Sequence, residues 1–384
     1  MERRIAIVYD YMTQMGGGER VIRELHSAFP DAPIYTVVYD PKALPPDFRD
    51  MDIRPSFLDR FPLAHRKFEL YIPFYGFAVE QFDLRNYDIV LSVSTMVAKG
   101  INTGPRTCHV SLCFTPMRWA WDLYHAYLDE LRGRFWVRAG FRIFSHYYRV
   151  WDVASASRVN YFLAGSTVAS RRIRKHYGRD SDVLHPPVDT DRFTPSGSPP
   201  EDFFLVVSRL VLAKRIDIVV AAFAKTRARL IVIGAGERAP VLRRAATPNV
   251  TFLGFQDDEV VRDHYRRCRA LIFPGEEDFG LTPVEAHASG RPVIAYAAGG
   301  ALETVEDGVT GVLFHEQTPE ALTAAVARFE TLRFDADRIR RSSLRFGRER
   351  FRTEIRDYLN RKFDDYMQAF FGDAPPPGSD RAGS

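Results

Sequence analysis

The chain has 384 residues, 46% hydrophobic and 27% charged, with a net charge of +4, a balance that excludes wholesale disorder. Single cores stop growing near about 250–300 residues, so two domains are expected. No stretch approaches the roughly 18 uninterrupted apolar residues of a membrane span, and the apolar run before Asp10 is too short for a signal-peptide core. Cys108, Cys113 and Cys268 have no metal-ligand spacing and read as reduced, buried thiols of a cytoplasmic protein.

From the N-terminus, RRIAIVYD (3–10) reads as a strand, followed by a glycine loop and a helix with Val21, Ile22, Leu25 and Phe29 on one face. The segments 33–40, 87–95, 109–115 and 160–166 are further strands, with helical stretches between several of them. The proline-rich segment 183–202 reads as a linker. After it the alternation restarts with FFLVVSR, RLIVIGAGE, NVTFLG, ALIFP and PVIAYA as strands between helices. Both halves therefore predict α/β, doubly wound parallel sheets. A long helix is expected at about 347–371, and a disordered tail at 372–384.

Glycines after parallel strands let backbone N–H groups approach a phosphate at a helix N-terminus. Three such loops occur, at Gly16 to Gly18, at Gly234 and Gly236, and at Gly299 and Gly300. Neither a G-x-G-x-x-G fingerprint nor a P-loop is present, which argues against a dehydrogenase or an NTPase. In SRLVLAKR (208–215), Arg209 and Lys214 sit at a strand end and suit a diphosphate. In PGEEDFGLTPVEAHASG (274–290), Thr282 to Glu285 spell a capping box with proline at the first helical position, which gives Glu285 a structural duty. Glu277 has no such duty, and a carboxylate there can accept hydrogen bonds from sugar hydroxyls.

The spacing of Glu277 and Glu285 in EEDFGLTPVEAHASGRPVIAYAAGGALETV, with GGGERV, SRLVLAK, VIGAGE and FLGF, resembles the retaining GT-B glycosyltransferases of family four. It looks most like the bacterial mannosyltransferases of O-antigen and capsule assembly, from Ile5 to about Phe370. The resemblance implies two Rossmann-like domains facing a cleft. An N-terminal acceptor domain (1–185) would be completed by the 347–371 helix, and residues 186–346 would hold the nucleotide sugar. Arg209, Lys214 and Glu277 would be catalytic, the two cations neutralising the leaving diphosphate and Glu277 binding donor-sugar hydroxyls. Gly17, Gly18, Gly280, Leu281 and Thr282 would bind the donor, and Glu285 the ribose. No metal or cofactor is expected. Asp189 and Asp191 spell D-x-D, but within a linker segment that such enzymes share. Two departures stand out: Phe114 where relatives have histidine, a contact left unfilled or filled by a neighbour such as His109, and Gly165 where relatives have asparagine.

Between Leu131 and Arg179, eleven Arg and Lys face the single acid Asp152. The 132–152 segment interleaves Arg134, Arg138 and Arg142 with Trp136, Phe141, Phe144, Tyr147, Tyr148 and Trp151, a pattern that suits either a helix lying on an anionic membrane or core aromatics with solvated arginines. HRKFELYIPFYGF (65–77) would extend that surface or form the acceptor mouth. No RNA or DNA module accompanies the charge, so nucleic acid is not an expected partner. The expected function is transfer of mannose, with retention, from GDP-mannose to a lipid-linked or polysaccharide acceptor, in the cytoplasm or peripherally on the inner face of the plasma membrane. The alternatives are a UDP-sugar donor and a nucleotide-sugar-binding protein without transfer activity.

Overall fold

Apolar runs become strands and amphipathic stretches become helices, because βαβ connections bury both faces of a parallel sheet. The structure, a computed structural model, describes residues 3–372. From residue 373 the tail expected to be disordered lies outside the described residues. The chain divides into two compact units. Unit one is the chain up to Ala164, Ala169–Leu184 and the chain from Arg352 on; unit two is Gly165–Val168 with His185–Phe351.

The first sheet contains β1 (Ile5–Tyr9), β2 (Ile34–Thr36), β3 (Ile53–Pro55), β4 (Ile89–Ser94), β5 (Cys108–Cys113), β6 (Tyr161–Ala164) and β7 (Ser181–Val183). All pairings are parallel, in the order β3-β2-β1-β4-β5-β6-β7. The helices in this part are α1 (Gly17–Ala28), α2 (Ile72–Val79), α3 (Tyr124–Glu130), α4 (Phe135–Ala156) and α5 (Thr167–Tyr177). Every residue of β4 and β5 is buried, as a central strand covered on both faces requires. Strand order reverses between β1 and β4, where ligands commonly bind. Here that crevice is closed from within: the Asp10 carboxylate accepts the N–H groups of Thr95, Met96, Val97 and Ala98 at 2.6–2.9 Å.

Unit two contains β8 (Phe204–Val207), β9 (Leu230–Ile233), β10 (Val250–Gly254), β11 (Leu271–Phe273), β12 (Val293–Tyr296) and β13 (Gly311–Phe314). Its helices are α6 (Ile216–Phe223), α7 (Ala239–Ala245), α8 (Asp258–Arg267), α9 (Leu281–Ala288), α10 (Ala301–Thr304), α11 (Pro319–Thr331) and α12 (Ala336–Leu344). The parallel order is β10-β9-β8-β11-β12-β13. One core cluster joins Val206, Val219, Ile272 and Leu322, all essentially without exposure. Helix α13 (Arg348–Phe371) starts in unit two and continues in unit one from Arg352.

The edge strands β3, β7 and β13 escape the sequence reading. Each is three or four residues long, and an edge strand with one side open needs no long apolar run.

The aromatic segment 132–152 divides its side chains between core and surface. Tyr148 is buried and Phe144 and Trp151 pack against the same cluster, whereas Trp136 and Tyr147 are exposed. Helix α4 docks on α2, with the Tyr148 hydroxyl donating to the Ile72 carbonyl. A Cβ on Gly76 would lie 2.9 Å from the Trp151 ring, so glycine is what permits this approach.

Candidate functional site

The loops after β8 and β11 leave neighbouring strands at the point where the second sheet's order reverses, the ligand crevice of open α/β sheets. Lys214 ends the short helical turn Leu212–Lys214 on the first loop, and Glu277 lies on the second. Sixty-odd residues apart in sequence, they form an ion pair at 2.6 Å, both partly exposed. Arg215, next to Lys214, holds a left-handed conformation at φ 53°, uncommon outside glycine and a mark of a constrained site. Gln317 ties the two loops together. Its Oε1 accepts from Arg215 at 3.3 Å, and its Nε2 donates to the Pro274 carbonyl at 2.9 Å. Gly275 completes the contact, since a Cβ there would lie 3.2 Å from the Lys214 Cα.

Arg209 is exposed on the same loop, and its guanidinium has no ion-pair or hydrogen-bond partner among the described residues. Helix α9 opens at Leu281 without a side-chain cap, its N-cap Gly280 at φ 84°. This corrects the capping box expected at Thr282 to Glu285. The helix begins two residues earlier, because Gly280 adopts a turn that no L-residue adopts readily, and Pro283 falls at the third helical position. Glu285 is 4% exposed and accepts the Tyr265 hydroxyl at 2.9 Å. An uncapped N-terminus on the β11 loop and an unpartnered arginine on the neighbouring β8 loop both suit an anion.

The other glycine loops hold backbone against backbone. A Cβ on Gly234 would lie 1.8 Å from the Ser208 carbonyl oxygen, and one on Gly236 2.3 Å from that of Leu210. Gly300 donates its N–H to the Glu277 carbonyl at 2.8 Å. These glycines therefore set the Arg209 and Glu277 loops in place. Asp189 and Asp191 both pair with Arg348, at 3.0 and 3.3 Å.

Gly17 and Gly18 open α1 in unit one, at the carboxyl edge of the first sheet. Sequence reasoning missed the next residue. Glu19 folds back so that its carboxyl group accepts the Gly16 backbone N–H and the Tyr9 hydroxyl, the latter at 3.2 Å. Burial pushes its pKa up to about 7, against the opposing effect of those bonds. A phosphate at this helix end would meet a carboxyl group that loses its proton near neutrality. Because the folded value is raised, the stability this group contributes is present below its ordinary value and lost as pH rises through about 7. Relative to Glu19→Gln, the wild-type unfolding free energy should fall by at most about 3 kcal/mol between acid and mildly alkaline pH. Urea titrations of both proteins across that range check the slope, and parallel curves would refute it.

His109 does not compensate for Phe114. It is fully buried in β5, with Nε2 at 2.8 Å from Ser92 Oγ and Nδ1 at 3.2 Å from the Arg158 carbonyl. Burial lowers its pKa to about 4, so it is a neutral core histidine.

Comparison with known proteins separates the two halves of the chain. Three solved structures superpose over nearly all of it. Sucrose-phosphate synthase from Thermosynechococcus elongatus has a TM-score of 0.70 at 18% identity, covering 95% of this chain and 100% of that one. Anabaena Alr3699/HepE in complex with UDP-glucose gives 0.69 at 19%, covering 94% and 100%. The lipopolysaccharide outer core galactosyltransferase WaaB gives 0.64 at 17%, covering 94% and 99%. The fold is GT-B. Within it, residues 188–345 match the family model described as Glycosyl transferases group 1. A D-inositol 3-phosphate glycosyltransferase of Geodermatophilus obscurus is 33% identical over 226 residues, 48% of this chain and 49% of that one. The same description belongs to a Nocardiopsis dassonvillei relative, 32% identical over 43% of this chain and 46% of that one. The chain spans about half the length of these curated relatives. The Lys214, Glu277 and α9 cluster of this GT-B chain lies inside the family-matched segment.

Proposed function

We propose that the protein is a glycosyltransferase that moves a sugar from a nucleotide-sugar donor, first of all mannose from GDP-mannose, to a lipid-linked saccharide with retention of configuration. The carrying observation is the Lys214–Glu277 pair at the strand-order reversal, with unpartnered Arg209 on the β8 loop and the uncapped α9 N-terminus on the β11 loop. As the donor's anomeric bond breaks, its electron pair stays on the diphosphate, and the sugar gains oxocarbenium character. Arg209, Lys214 and the N–H groups of Gly280, Leu281 and Thr282 stabilise that charge, so the proposed reaction needs no metal. The diphosphate takes Lys214 from Glu277, whose carboxylate then accepts hydrogen bonds from the sugar hydroxyls. The acceptor hydroxyl attacks from the face the diphosphate leaves and gives its proton to the departing phosphate oxygen. Glu285 would receive the ribose. The proposed place of action is the cytoplasm, at the inner face of the plasma membrane, where a lipid-linked acceptor is presented.

A UDP-sugar is the second donor class, supported by the UDP-glucose held by the HepE neighbour. Turnover of GDP-mannose and UDP-glucose with and without EDTA tests donor and metal together. Retained activity in chelator is expected, and its loss would contradict the cationic-cradle account.

Phe255, 80% exposed just after β10, gives the nucleobase a platform. The β8 and β10 loops are two strand spacings apart, about 10 Å, comparable to the reach from a diphosphate to its base. The Gly234 N–H bond to the Gly254 carbonyl, 2.7 Å, tethers that loop. Phe255→Ala should weaken nucleoside diphosphate binding about tenfold while sparing inorganic pyrophosphate. Equal losses for both ligands would reject the platform.

A further inference from the structure

The loops that carry Lys214 and Glu277 leave strands that are joined sparsely. Among the described residues, β8 and β11 are in register at Leu205 and Leu271 alone, whereas β8 and β9 pair from Phe204 with Leu230 through to Val207 with Ile233. Two bonds hold the amino ends of β8 and β11 together, from the Leu205 N–H to the Ala270 carbonyl at 3.0 Å and from the Arg269 N–H to the Phe203 carbonyl at 2.8 Å. At the carboxyl ends, where the site lies, side chains replace the ladder. One tie is the Lys214–Glu277 pair itself. A second is Gln317, on the connection between β13 and α11.

A donor affects these ties differently. In the proposed reaction the diphosphate takes Lys214 from Glu277, so the ion pair opens when the site fills. Gln317 acts on the neighbours of that pair instead. Its Oε1 accepts from Arg215 and its Nε2 donates to the Pro274 carbonyl, an orientation its partners dictate, since a guanidinium only donates and a carbonyl only accepts. Arg215 follows Lys214 and holds φ 53° and ψ 36°, a conformation that persists outside glycine only where the surroundings impose it. Those surroundings include Asp217, whose carboxylate lies 3.3 Å from Nε and from Nη2, and Gln317, 3.3 Å from Nη1. Release of the guanidinium lets the Arg215 backbone leave this conformation, and Lys214 turns with it.

We propose that Gln317 is a positioning residue for the donor diphosphate: through Arg215 and Pro274 it keeps the Lys214 loop against the β11 loop once the ion pair has opened. The proposal rests on the nucleotide-sugar reading of this crevice and adds to it a residue that reaches the charge only through Lys214. An ammonium whose loop is free to drift loses the fixed placement on which stabilisation of the leaving diphosphate depends. Leucine at 317 would fill similar space and make neither bond.

The test is a double-mutant cycle on the full chain, read by calorimetric titration with GDP and UDP, whose bases add binding energy of their own when Lys214 is lost. Gln317→Leu should weaken nucleoside diphosphate binding about tenfold. Adding Gln317→Leu to Lys214→Ala should weaken it no further than Lys214→Ala alone, because the lysine through which Gln317 acts is gone. Arg215→Met should reproduce the loss of Gln317→Leu and not add to it. Unfolding midpoints measured beside the titrations should stay close to wild type, since Gln317 is only half-buried. A loss that adds in full to that of Lys214→Ala, or a Gln317→Leu protein that binds as wild type does, overturns the proposal. So does a loss explained by unfolding at the assay temperature, which would leave Gln317 a residue of the fold alone. Wild type that binds neither GDP nor UDP would sink the proposed function and this inference together, whereas wild-type binding with additive losses sinks this inference only.

Discussion

Lys214→Ala should lower donor turnover by about 10²- to 10³-fold, the loss expected when one strong donor leaves a preorganised charge cradle. Its fold should survive. The Lys214–Glu277 pair is partly exposed, and such pairs contribute at most about 1 kcal/mol to stability. Turnover at saturating donor, measured beside the unfolding midpoint, separates the two effects. A variant that kept wild-type turnover would remove Lys214 from the mechanism. Arg209→Ala should act in the same direction, because its guanidinium is already unpartnered and needs no exchange of partners on binding.

The largest stability effect is expected in unit one rather than at that site. Lys99 and Asp152 are both buried and form an ion pair in unit one. Asp152 also accepts the Trp121 indole N–H at 2.8 Å and the Tyr177 hydroxyl at 3.0 Å, while the Lys99 ammonium lies over the Trp151 and Tyr177 rings. Asp152→Ala strands a buried cation and two polar groups at once, a loss of about 3–5 kcal/mol. For a unit of this size that corresponds to a midpoint about 10 °C lower. Lys99→Met should cost less, since it leaves the carboxylate with its indole and hydroxyl donors. Thermal unfolding of both variants checks the ranking, and equal or negligible shifts would contradict it.

The fold was legible where burial dictates sequence. Central strands such as IVLSVS and CHVSLC must be apolar on both faces, so they announce themselves, whereas edge strands such as Ile53–Pro55 do not. The site was legible as residue types on loops: Arg209, Lys214 and Glu277 each follow a recognisable strand. Their assembly was not, because nothing local says that β11 pairs with β8 rather than with β10. That order is what turns Lys214 and Glu277 into an ion pair. Gln317 was invisible for the same reason, its bridge existing only once both loops are placed. Glycines carried a mixed message. Gly280 does open a helix end, but Gly234, Gly236 and Gly300 are there so that backbones can touch. The capping box at Thr282 failed because a glycine with positive φ starts the helix earlier than a Thr-Pro signal suggests. Glu19 reads as an ordinary first-turn acid, and only burial shows that its proton is lost near neutrality.

Calorimetric titration of the wild-type chain and of Lys214→Ala with GDP-mannose, UDP-glucose and inorganic pyrophosphate tests the central claim most directly. The account predicts that wild type binds one nucleotide sugar and pyrophosphate, and that Lys214→Ala weakens both. Absence of binding by wild type to any of the three, in a protein that is folded, would contradict the assignment of the β8–β11 crevice as a nucleotide-sugar site.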